Sequence, residues 1–62
     1  MVWAIVCNMS SIPGVEAYVV ETFSCQEDAR ERLEMANWPT SYWVQKVPHA
    51  GAQLMESTGE WE

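Results

Sequence analysis

The feature that most constrains this chain is a Pro-Gly pair set between two apolar runs. The runs are Val2 to Met9 and Val15 to Phe23, and Ile12-Pro13-Gly14 lies between them. Proline presets φ for the first central position of a type II turn, and glycine accepts the positive φ of the second. Two strands joined in this way predict an antiparallel hairpin. Side chains alternate along a strand, so strand 1 divides into Val2, Ala4 and Val6 on one face and Trp3, Ile5, Cys7 and Met9 on the other. Both faces are apolar, as in a central strand. Strand 2 divides into Val15, Ala17, Val19 and Phe23 with Glu21 intruding, against Tyr18 and Val20 with Glu16 and Thr22. Its glutamates mark an edge.

A helix signal follows from Ser24 to Asn37. Ser24-Cys25-Gln26-Glu27 reads as a capping box, in which the hydroxyl accepts from the Glu27 amide and the Glu27 side chain returns to the Ser24 amide. Cys25, Ala29, Leu33 and Ala36 fall within about 80° of one another at 100° per residue, a stripe of small groups suited to lying close on a sheet. Asn37 suits a left-handed cap and Pro39 blocks continuation. A third apolar run, Tyr42-Trp43-Val44-Gln45-Lys46-Val47, then reads as a strand. If it enters beside strand 1, the expected fold is α+β: a small ββαβ domain over residues 1–47. Its three-stranded antiparallel sheet has order 2-1-3, with the helix on one face and the other face open.

Residues 48–62 are expected to be a flexible or partner-ordered acidic tail. They have weak periodicity, two glycines and no Lys or Arg.

A chain of 62 residues leaves much of its surface in water, so its core is marginal and a partner or a second copy helps to cover it. The net charge of −6 comprises −2 from Glu16 and Glu21, −2 across the helix, +1 from Lys46 and −3 from the tail. With a pI near 4.4, unaided binding to nucleic acid or to an anionic membrane is disfavoured. A protein with a basic surface is the favoured partner. The apolar start lacks the cationic region of a signal peptide, and no segment reaches the ~20 apolar residues of a membrane span. A cytoplasmic protein is expected. Cys7 and Cys25 read as reduced, small buried thiols.

No catalytic, cofactor or metal site is read from the sequence. His49 follows Pro48 with no carboxylate close by to orient it. Cys7, Cys25 and His49 lack the paired spacings of zinc ligands. Ser10-Ser11 has no adjacent base, and the three scattered glycines make no phosphate loop.

What remains is surface chemistry. Glu27, Glu31 and Glu34 lie within about 60° of each other opposite the apolar stripe, at 4.5 to 6 Å of rise, with Asp28 beside them. As a functional surface, this row mimics the charge of a nucleic-acid backbone and occupies a groove built for it. As an ordinary solvated face, it is neutralised by pairs of Arg30 with Glu27 or Glu34 and of Arg32 with Asp28. Four tryptophans form the second excess. Trp3 and Trp43, in the register expected, become neighbours on one face, and with Tyr18 they form an aromatic docking or dimer surface. Glu60-Trp61-Glu62 is a candidate tail contact. The bland reading is that the tryptophans supply core area.

In size, charge and ββαβ outline, the first 47 residues resemble the small phage-encoded inhibitors that block host polymerases or defence nucleases. The resemblance carries no signature residue and transfers no site. It implies a non-catalytic inhibitor or regulatory module that acts by occupancy. The alternatives are a self-associating structural subunit, and a nucleic-acid-binding module that stacks bases on Trp3, Tyr42 and Trp43.

Overall fold

The computed structural model describes residues 1–62 and shows a small α+β fold with one helix on an antiparallel sheet of four strands. The elements are β1 (Val2–Cys7), β2 (Val15–Phe23), α1 (Gln26–Ala36), β3 (Tyr42–Val47) and β4 (Gln53–Met55). The sheet order is β3-β1-β2-β4, which places β1 between β2 and β3. No helix is long and apolar enough to cross a membrane.

The hairpin turns at Ile12-Pro13-Gly14-Val15. The Val15 N–H donates to the Ile12 carbonyl at 3.2 Å, and Gly14 has φ of 84°. That is the type II arrangement the Pro-Gly pair demands.

The pairing of β1 with β2 contains one irregularity, and it decides which side chains face the helix. Ile5 is opposite Glu21 while Val6 is opposite Val19, so Val20 is the extra residue of a bulge. The shift moves Glu21 and Phe23 to the Trp3–Ile5–Cys7 face and leaves Val19 with Val6. The glutamate that intrudes in a strict alternation is thereby taken off the apolar face. Glu21 is instead turned to the helix, where it meets Arg32 at 3.3 Å.

The helix covers this face mainly over β1 and β3. Ala29 is fully buried against the sheet, Leu33 and Ala36 are half-buried, and Ile5 and Cys7 are buried beneath. The small residue at Ala29 permits the close approach. Asn37 closes the helix in the left-handed region at φ 49°, its N–H donating to the Glu34 carbonyl at 3.3 Å.

The start of the helix differs from the sequence expectation. Cys25, not Ser24, is the N-cap: its backbone is extended, with φ −144° and ψ 160°, and its carbonyl accepts from Ala29. No side chain caps the first turn, so the capping box does not form. Cys25 is also exposed, contrary to the expected buried thiol, whereas Cys7 is buried. A residue at the N-cap lies outside the helical stripe, which removes it from the packed face.

The largest correction concerns residues 48–62. They were expected to be a flexible tail beside a three-stranded sheet, but Gln53–Met55 form a fourth strand on β2. A tight hairpin then brings Trp61 opposite Leu54. The Gln53 N–H donates to the Glu62 carbonyl at 2.7 Å, and the Glu62 N–H donates back to Gln53 at 2.9 Å. Gly59, at φ 68°, makes the reversal, its N–H reaching the Met55 carbonyl at 2.8 Å.

Because β3 and β4 lie at opposite edges, residues 48–52 cross β1 and β2. Ala52 is buried with Ala4, Val6, Ala17 and Val47 on the face away from the helix, so the crossing runs over that face. Val2, Val19, Trp43, Leu54 and Trp61 pack around this cluster. The face expected to be open is thus covered by the chain's own last residues. The three alanines let that segment approach, and two tryptophans supply the area that small residues do not.

Candidate functional site

The carboxylate row survives folding as a surface. Glu27, Asp28, Glu31 and Glu34 are all exposed on α1. The one ion pair in the protein joins Arg32 to Glu21 of β2, and the expected intrahelical pairs with Arg30 and Arg32 do not form. Arg32 also stands over the Trp38 ring, 5.2 Å from its centroid, and Trp38 meets Tyr42 edge-on at 4.8 Å. One of the two helix arginines is therefore drawn to the sheet and the residue behind the helix. The row keeps its charge unmatched by a contact pair, and Glu27 and Asp28 stand in the first turn, where the helix dipole favours acids.

The aromatic surface is not assembled as expected. Trp3 is opposite Lys46 and Trp43 is opposite Val6, so the two tryptophans lie on opposite faces of the sheet. The pairing register joins Trp3 to an even-numbered residue of β3, one position off the parity that would have made them neighbours. Trp3 stands on the helix face with the Lys46 ammonium 5.4 Å from its ring centroid. Trp43 lies on the crossover face, packs against the apolar cluster and donates from Nε1 to Gln45 Oε1 at 2.7 Å. Tyr18 is opposite Cys7 on the helix face. All three are half-buried. Trp61 packs on the crossover cluster, while Glu60 and Glu62 on either side of it are exposed.

Cys7 lies between Tyr18 and Tyr42, its cross-strand partners. Its sulfur accepts from the Met9 N–H at 3.3 Å. Both phenols are held above their ordinary value of 10.0, first by hydrogen bonding with the thiol and then by repulsion between phenolate and thiolate. Desolvation adds to both. The thiol and the two phenols are thus neighbours across three adjacent strands. His49 and Cys25 are exposed and are not brought to Cys7, and no three His, Cys, Asp or Glu side chains converge.

The sequence reading did not locate one cleft of about 300 Å³, lined by Met9 to Ile12, Tyr18, Val19 and Gly51 to Gln53. It forms where the crossing segment passes the hairpin loop. It was illegible because that crossing has no periodic pattern. Met9 and Ile12 at its rim are 66% and 50% exposed, the largest apolar exposure outside the chain start and Met35.

Comparison with known proteins found no match to this chain among family models, curated proteins or solved structures.

Proposed function

We propose that this protein is a small, non-catalytic, acidic protein-binding module that inhibits or regulates a partner by occupying a basic surface of the kind that handles nucleic acid. The observation that carries the reading is the exposed row Glu27, Asp28, Glu31 and Glu34, with the one available salt bridge directed elsewhere. Residues three and four apart along one helix face are separated by about 4.5 to 6 Å of rise, a spacing comparable with backbone phosphates, and a basic groove recognises both by the same Coulombic term. The net charge of −6 supports attraction at a distance. Unpaired Cys7 and Cys25 favour a reducing compartment, the cytoplasm.

The test is affinity capture from nuclease-treated lysate at low and high salt, with the wild-type protein beside a variant carrying Glu27→Lys, Glu31→Lys and Glu34→Lys. A basic partner retained by the wild type, released by salt and lost with the variant supports occupancy. A partner set unchanged by the charge reversal contradicts it.

A further inference from the structure

We infer that the outer edge of β3 is a self-pairing surface, and that two copies of this chain join through it into one continuous antiparallel sheet. The two sheet edges are finished differently. Beyond β4 the chain folds back on itself, and that edge ends in Glu60 and Glu62 flanking Trp61. Charged flanks and a strand this short discourage pairing. β3 is six residues long, contains neither proline nor bulge, and carries no carboxylate. Its one charged side chain, Lys46, leans inward over Trp3. The residue that would guard this edge is turned away from it.

The direction of the free main-chain groups follows from one bond. The Asn8 N–H donates to the Ser41 carbonyl at 3.3 Å, which makes Asn8 and Ser41 a hydrogen-bonded pair at the end of the β1–β3 ladder. Antiparallel pairs alternate, so Trp43, Gln45 and Val47 face β1, while Tyr42, Val44 and Lys46 present N–H and C=O outward. In agreement, the Tyr42 N–H turns back to the Pro39 carbonyl at 3.1 Å, and no backbone bond outside the ladders involves Val44 or Lys46. The outward positions Tyr42, Val44 and Lys46 are symmetric about Val44, with the Tyr42 N–H already taken by the Pro39 carbonyl. A two-fold axis there matches Val44 with the second copy's Val44 in a reciprocal pair of bonds. On each side of it the Lys46 N–H meets a Tyr42 carbonyl. An isologous contact requires this self-complementarity, and the acidic helix row is not used in it.

The test combines a solution mass with amide hydrogen exchange on the full chain. A mass of twice 7.1 kDa at high protein concentration is expected. Slow exchange should appear at Val44 and Lys46 only in the dimer, whereas Trp43 and Gln45 stay protected at every concentration. Val44→Pro removes an outward N–H without touching the β1 ladder and should return the mass to that of one chain. If that variant fails to fold, the exchange pattern of the wild type decides alone. A monomer at all concentrations, or a dimer in which the Val44 and Lys46 amides exchange freely, overturns the proposal.

Discussion

Arg32 on α1 reaches Glu21 on β2, Nε to Oε2 at 3.3 Å, rather than pairing along its own helix. The bulge at Val20 makes this possible by turning Glu21 to the helix side, and the result is a helix face whose carboxylates have no partner on the chain. Both groups of the pair are near half exposed, so the contact organises charge more than it stabilises the fold.

Arg32→Met should therefore cost no more than about 1 to 2 kcal/mol, the sum of a weak exposed pair and a cation–π contact with Trp38. Urea unfolding with matched m-values measures it. A loss well beyond that range would mean that the pair supports packing.

The helix start offers a contrast between two neighbouring residues. Ser24→Ala should change stability little, because Ser24 makes no capping bond, whereas Cys25→Ser should gain about 0.5 to 1 kcal/mol by supplying the missing acceptor at the N-cap. Thermal unfolding of the two variants distinguishes them. A loss at Ser24 equal to that of a true cap would contradict the assignment.

Trp61→Ala should cost on the order of 2 to 4 kcal/mol, near the lower end for large core truncations because Trp61 is only half-buried. It removes a group packed on the Ala4, Ala17 and Ala52 cluster. Equilibrium unfolding should register the loss. An unchanged midpoint would show that residues 60–62 contribute nothing to the fold.

Tyr18 and Tyr42 are raised above 10.0 by the Cys7 thiol first. A folded-state value above the unfolded one contributes stability that is present below pH 10 and is lost as pH rises through the folded value. Phenolate absorbance should thus appear later in the folded protein than in the unfolded chain, and the unfolding midpoint should fall above pH 10. Cys7→Ala should bring both titrations back toward 10.0. Titration of both tyrosines at the ordinary value in the wild type would contradict the influence of the thiol.

The elements that a local pattern specifies were legible: the Pro13-Gly14 turn, the helix ending at Asn37, and β1 between β2 and β3. What escaped the sequence was set by long-range packing. The bulge that turns Glu21 toward Arg32 has no local signature, since Val19-Val20 reads as ordinary strand. Gln53–Met55 is too short to show alternation, and its pairing depends on Ala4 and Ala17, distant in sequence, which together with Ala52 let residues 48–52 cross the sheet. The positions of Trp3 and Trp43 turned on a single residue of register, which propensity does not fix. The carboxylate row was readable because it follows from helical spacing alone. Its lack of internal pairs was not, because Arg32 had an equally good partner on another element.

The most direct test of occupancy is the affinity of the captured partner for the wild type and for the variant with Glu27→Lys, Glu31→Lys and Glu34→Lys, with circular dichroism recorded on both. The account predicts an unchanged spectrum and a loss of binding of at least about tenfold, equivalent to about 1.4 kcal/mol. Equal affinity for the two, with the fold intact, would contradict it.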